Sequence, residues 1–324
     1  MFQFRTSQYI FYLAVFLLPS AGFISGFLFI LNLIISFYLF RKDFFKDKWN
    51  YPFVLATFLL IISCLAHKYI LNNEWYSWSS WIGLTNWILL FLCFVGFQPY
   101  LKSKKQRKLT SYALISGNLP VLVSGIGQYF FNWTGPLTLW GGLITWYQRP
   151  IMYDHGLTAL FSNPNYLGAW LNICWPISCA LIFESSRFFF YRIISFIFSI
   201  FIAAGVFLTD SKNAILALFI TIPMFISKSI SLYWLFPIFL ICLVFILFIF
   251  SSIFPINLDL FFNSIVDGNF FSFFNLEVYG EESRLSIWGT ALDFLYQNPL
   301  FGFGPDTFSD LYISELEKVQ HAHN

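Results

Sequence analysis

Long stretches of this chain between Tyr9 and Phe254 are almost free of charged side chains, and a soluble fold cannot accommodate them. A bilayer core about 30 Å thick takes roughly 20 apolar residues per helix. Inside lipid every backbone amide must find its partner within its own segment, which favours helices over open strands. The alternation of polar and apolar residues that marks a membrane β-barrel is missing. Charged residues make up 10% of the chain and hydrophobic ones 58%, whereas an ordinary soluble domain is about a quarter charged. The sequence predicts an all-α polytopic integral membrane protein.

About nine spans are expected, near 8–22, 25–40, 51–66, 81–100, 109–127, 165–183, 193–208, 213–227 and 232–254. The first two form one apolar run broken by Pro19-Ser20-Ala21-Gly22, a turn signal. Arg5 followed by Ile10–Leu18 also has the outline of a signal peptide. No Ala-x-Ala site follows and further spans do, so a retained helix is expected.

The basic residues give an orientation. Arg41, Lys42, Lys46 and Lys48 fill one loop, and Lys102, Lys104, Lys105, Arg107 and Lys108 another, two spans later. Both loops are assigned to the cytoplasm, together with Arg5, Arg187, Arg192 and Lys228. Only Lys68, Arg149, Lys212, Arg284 and Lys318 then fall outside. The expected organisation is a transmembrane domain over 1–254 with an outer loop near 128–164, followed by an outer segment over 255–324. The positive-inside rule does not ask for cations on the outer face, so those found there invite a functional reading.

The rest of the chemistry is sparse. There is no P-loop, and no Cys/His or carboxylate cluster has metal-ligand spacing. His321 and His323 lie two apart without a third ligand nearby. Neither a metal nor another cofactor is expected, and nucleic acid is not an expected partner. Cys64, Cys93, Cys174, Cys179 and Cys242 all fall in apolar spans and read as small hydrophobes. The span interiors carry amides (Asn32, Asn86, Asn118, Asn172) rather than carboxylates. That pattern suits interhelical hydrogen bonding and weighs against an ion-coupled carrier.

The last segment is more informative. Ser283 fits the cap of a helix from about Arg284 to Gln297, in which Leu285, Trp288, Leu292 and Leu295 make one apolar face. Such a helix suits the membrane surface, with Trp288 at the headgroup level. Asn298-Pro299 ends it, Gly302-Phe303-Gly304-Pro305 makes a tight turn, and a second helix is expected from about Thr307 to Val319.

Arg284-Leu285-Ser286-Ile287-Trp288, then Asn298-Pro299-Leu300-Phe301-Gly302-Phe303-Gly304, Phe308 and His323-Asn324 resemble the signature of the O-antigen ligase/polymerase superfamily. Upstream, Phe161-Ser162-Asn163-Pro164-Asn165-Tyr166-Leu167-Gly168 is similar to the Asn-Pro-Asn segment with which that family opens a span. Thr209-Asp210-Ser211-Lys212-Asn213 stands where the family commonly has Ser-Arg. The matches run from about 150 to the end of the sequence, and the first half agrees in topology alone.

The resemblance implies a bacterial inner-membrane enzyme that takes a glycan from undecaprenyl diphosphate and passes it to an acceptor hydroxyl. The acceptor would be lipid A–core sugar in a ligase or a growing polysaccharide in a polymerase. It also implies functional roles for Arg284 and His323, a diphosphate-binding role for Lys212 in place of the usual Arg, and a similar one for Arg149. Arg offers a planar fork of donors that suits phosphate oxygens. An imidazole titrating near about 6.5 suits a general base.

Blander readings stand beside these. An Arg on an interfacial helix is commonly a snorkelling anchor or a surface ion pair. A His beside a chain end is usually solvated. Asn163-Pro164 also reads as a cap followed by proline at the first helical position. The family continues with further spans beyond its His-Asn motif, so a truncated or short form is expected here. Two other functions fit the sequence: a membrane transporter, for example of inorganic carbon, and an inactive scaffold in a polysaccharide-assembly complex.

Overall fold

The computed structural model describes residues 2–44, 46–66, 78–151, 156–184, 189–221 and 284–312. These residues form helices α1 (Phe2–Leu17), α2 (Gly22–Phe44), α3 (Tyr51–Leu65), α4 (Trp78–Phe97), α5 (Lys104–Phe131), α6 (Pro164–Glu184), α7 (Phe189–Leu208), α8 (Lys212–Thr221), α9 (Arg284–Gln297) and α10 (Phe308–Leu311). Between α5 and α6 lies a small antiparallel hairpin, β1 (Leu137–Leu139) and β2 (Ile144–Trp146), pairing Leu137 with Trp146 and Leu139 with Ile144. The described residues are mostly helical, as the sequence predicts, with the addition of this short hairpin. Its strands are too short for any alternation to register in the sequence.

Among the described residues, five helices are long and apolar enough to cross a membrane: Gly22–Arg41, Lys48–Leu65, Ser79–Tyr100, Lys104–Phe131 and Pro164–Phe183. Arg192–Leu208 and Lys212–Thr221 are shorter apolar helices. The expected ninth span, 232–254, lies outside the described residues. Helix α1 starts near the chain's beginning and ends at Leu17, several residues earlier than expected. Ser7 explains the shift. It is buried, donating to Asn32 Oδ1 at 2.8 Å and meeting the Tyr100 hydroxyl at 2.5 Å, so the polar start of α1 is satisfied by residues remote in sequence.

The chain divides into two units. The first comprises Met1–Arg41 and Gly96–Ser231. Here α1 lies along α5, α7 lies along α6, and α8 touches both α6 and α7. Helix α5 begins with a reciprocal cap: Ser103 Oγ accepts from the Gln106 amide at 3.2 Å, and Gln106 Oε1 accepts from the Ser103 amide at 2.7 Å. It ends at Asn132, whose left-handed backbone (φ 52°) returns the chain over the last turn. The core gathers Val121 of α5, Leu167, Leu171 and Cys174 of α6, and Ile202 and Val206 of α7.

Amides bind these helices together, as the sequence predicts for most of them. Asn118 Oδ1 accepts from Trp170 Nε1 at 2.7 Å, and Asn172 Nδ2 donates to the Ala214 carbonyl at 2.9 Å. Such bonds contribute about 0.6 kcal/mol each on average. Asn86 differs: it lies exposed on α4. Outward, α2 presents Phe23, Phe27, Ile30, Ile34 and Tyr38, an apolar stripe that only lipid or protein would cover.

The second unit comprises Lys42–Val95 and Leu232–Asn324. Phe53 of α3 packs on Phe94 of α4 at 4.3 Å between ring centres. Helix α9 has the bounds expected from the sequence, and its Ile287 is buried while Leu292 and Leu295 are exposed. The side chains of Leu285 and Trp288, expected on the same membrane-facing side, and Ser283 lie outside what is described. Gly302 (φ 59°) and Gly304 (φ 93°) adopt the left-handed conformations that the tight turn requires.

That turn also docks. Ser63 Oγ of α3 donates to the Phe301 carbonyl, and a Cβ on Gly83 of α4 would stand 2.6 Å from the Pro305 carbonyl oxygen. Phe303 and Phe308 close on Phe294 at 5.5 and 6.0 Å. The second expected helix, from about Thr307 to Val319, is corrected to the single turn Phe308–Leu311: it ends where the Tyr312 backbone becomes extended (φ −89°, ψ 102°), and 313–319 lie outside the described residues.

Candidate functional site

The Asn-Pro-Asn segment and the Thr-Asp-Ser-Lys turn, far apart in sequence, meet at one end of the first unit. Asn163 Oδ1 accepts from the Asn165 amide at 2.7 Å, so Asn163 caps α6 and Pro164 takes the first helical position. The bland reading of this segment is therefore right about its local structure. It is incomplete, because Asn165 Oδ1 also accepts from Ser211 Oγ at 2.7 Å and ties the start of α6 to the start of α8. One turn along α6, Gly168 permits the close approach: a Cβ there would lie 2.6 Å from Ala214 Cβ.

The turn between α7 and α8 is built from its own hydroxyls. Thr209 Oγ1 donates to the Val206 carbonyl at 2.6 Å and accepts from the Ser211 amide at 3.3 Å. Asp210 takes a left-handed backbone, φ 54°. Lys212 opens α8 and is exposed, with the exposed Asp210 two residues before it. A cation at a helix N-terminus faces the positive end of the peptide dipoles, a placement that costs roughly 0.3–1 kcal/mol at low ionic strength.

Arg149 is held from behind. Its amide donates to Thr158 Oγ1 at 3.1 Å, and its carbonyl accepts from Gln128 Nε2. Gln128, buried in α5, uses its other end to accept from the Thr158 and Ala159 amides at 3.2 and 2.8 Å. The next link runs to α7, where the Leu157 amide donates to the Leu208 carbonyl at 2.8 Å. The Arg149 backbone is thus fixed while its side chain is exposed, and a continuous set of hydrogen bonds connects it to the turn that carries Lys212. Nothing in the sequence around Gln128 signals this role, since the partners lie 21 to 31 residues away.

Gly156 seals that connection, because a Cβ there would overlap the Thr209 carbonyl. Gly156→Val is expected to destabilise the protein by about 1–3 kcal/mol or more, since backbone cannot give way as a side chain would. The check is the thermal midpoint of the detergent-solubilised protein, and an unchanged midpoint would refute the packing described.

Arg284 is the first residue of α9 in the second unit, so it too opens a helix, and its side chain lies outside what is described. His323 lies outside the described residues. The structure thus connects Arg149, Lys212 and the Asn-Pro-Asn segment within one unit and leaves the roles of Arg284 and His323 to the sequence.

Residues 196–324 match the family described as O-Antigen ligase. The match covers Lys212, Arg284 and His323 and bears out the resemblance to the O-antigen ligase superfamily over that part of the chain, supporting a membrane glycosyltransferase-like function. Arg149 and Asn163-Pro164-Asn165 precede the matched residues. Searches of curated proteins and of solved structures found no match.

Proposed function

We propose that this chain is a metal-independent glycosyltransferase of the O-antigen ligase type in the bacterial inner membrane. It moves a glycan from undecaprenyl diphosphate to a hydroxyl of lipid A–core sugar or of a growing polysaccharide. The observation that carries the reading is the placement of Lys212 within the family match. It is an exposed cation opening a helix, at a turn hydrogen-bonded to the Asn-Pro-Asn segment. A charge set against a helix dipole is stabilised when an anion binds at that helix end.

In the proposed reaction the acceptor oxygen forms a bond to the anomeric carbon as the bond from that carbon to the diphosphate oxygen breaks. His323 takes the proton of the attacking hydroxyl. The electron pair leaves with the diphosphate, whose growing charge Arg284, Arg149 and Lys212 stabilise. Attack opposite the leaving group inverts the anomeric centre. In this reading the N-terminus is cytoplasmic, and residues 255–324 and the outer loop are periplasmic.

The test is complementation of a bacterium lacking its own ligase, read as a polysaccharide ladder on a gel. A restored ladder supports the proposal. Its absence, with membrane insertion verified, refutes ligase activity and turns attention to polymerisation, transport or a scaffold role. A second measurement isolates Lys212. Lys212→Glu should maintain or raise thermal stability, because a carboxylate suits the helix start, while lowering affinity for the lipid-diphosphate donor. Undiminished donor affinity would remove Lys212 from the site.

A further inference from the structure

The β1–β2 hairpin carries a second feature that the transfer chemistry does not use. No charged residue occurs from Leu109 to Gln148, so the whole hairpin and the part of α5 beyond its basic first turns (Lys104, Lys105, Arg107 and Lys108) are electrically neutral. The hairpin nevertheless exposes large apolar groups: Trp140 is 73% accessible, and Leu137, Leu139, Leu143, Trp133 and Tyr147 are exposed around it. A neutral apolar patch of this kind does not remain in water without a partner.

The backbone at the tip narrows the explanation. Trp140 has φ 51°, followed by Gly141 at 66° and Gly142 at 96°. Glycine or asparagine occupies such a conformation at little cost, whereas a bulky side chain there is an outlier. The fold does not need tryptophan at this position, since the ring is exposed. Its presence against local preference points to a task for the ring itself.

The base of the hairpin fixes the depth at which that task is performed. Trp146 Nε1 donates to the Ser20 carbonyl at 2.8 Å, in the turn just before the membrane-length stretch beginning at Gly22. Trp133 folds back over Gly127 in the last part of α5, another helix of membrane length. The hairpin is therefore tied at the ends of spanning helices, the level at which Trp and Tyr gather at membrane–water interfaces.

We propose that the β1–β2 hairpin is an interfacial membrane anchor, which lays Trp140 and its flanking leucines into the headgroup–acyl boundary beside the helix ends. Lipid is favoured over a protein partner because the patch is continuous with the membrane-length helices that flank it and offers no charge for protein recognition. The inference does not depend on glycan transfer.

The experiment uses the full chain in nanodiscs, with its native cysteines replaced and Leu139→Cys, beside an intact Trp140, carrying an environment-sensitive fluorophore. The discs contain phosphatidylcholine bearing a nitroxide at a shallow acyl position. Blue-shifted emission that the nitroxide lipid largely quenches is expected. Water-like emission without quenching would overturn the proposal, and so would blue-shifted, unquenched emission, the sign of a protein cover. In the same labelled protein, the further change Trp140→Asn should leave the unfolding midpoint unchanged or higher and reduce quenching. Full quenching in that variant would overturn the assignment to Trp140.

Discussion

Replacing His323 by Ala is expected to lower the rate of glycan transfer by roughly 10²–10⁴-fold, the usual contribution of a positioned general base. A hydroxyl is a poor nucleophile until its proton has somewhere to go, and neither Arg nor Lys in its charged form can accept one. The effect should fall on the catalytic rate, leaving donor affinity and membrane insertion nearly intact. The pH profile supplies a second readout. An imidazole accepts a proton only while neutral, so the wild-type rate should fall on acidification. The Ala variant should lack that limb. Initial rates with a lipid-linked donor in proteoliposomes test both statements. A variant that retains the rate, or the same acid limb, would remove His323 from the reaction, and transport or a scaffold role would then account better for the chain.

What the sequence foretold and what it did not divide along a physical line. Signals carried by a few neighbouring residues were legible. Asn298-Pro299 placed the end of α9, the glycines at 302 and 304 marked a tight turn, and Asn163-Pro164 marked the start of α6. Each rests on local sterics or on a cap within one turn of helix. Features made by contacts between distant segments were not legible. Gln128 reads as one polar residue in an apolar run, yet it holds both Thr158 and the Arg149 carbonyl. The glycine-rich turn read as a turn and nothing more, and its docking on α3 and α4 depends on Ser63 and Gly83.

The same line runs through the candidate site. Asn165 and Ser211 each have an ordinary local explanation, as a residue of a helix start and as part of a turn. Their hydrogen bond at 2.7 Å joins two helix N-termini and brings Lys212 to the junction. Motif resemblance selected both segments without indicating that they touch. The contact supplies a physical reason for reading them as one region, because two N-termini present their positive ends to the same solvent.

Arg284→Ala is expected to reduce transfer by roughly 10²–10³-fold, comparable with the loss of one preorganised group that stabilises a developing anion. The direction of the split matters as much as the size. Charge on the diphosphate grows as the glycosidic bond breaks, so Arg284 should act more on the transition state than on the bound donor. The turnover number should then fall further than the Michaelis constant rises. Arg284→Lys should recover only part of the loss, since an ammonium restores charge and not the two-pronged geometry of a guanidinium. Stability should move the other way. Arg284 opens α9, where a positive charge opposes the helix dipole, so the Ala variant should unfold no more readily than the wild type. A structural anchor would give the opposite pattern, with reduced stability and rates that follow the amount of folded protein. Steady-state kinetics per folded molecule, measured alongside thermal unfolding, separate the two. Full rescue by Lys would leave Arg284 a point charge, and unchanged turnover in the Ala variant would take it out of the mechanism.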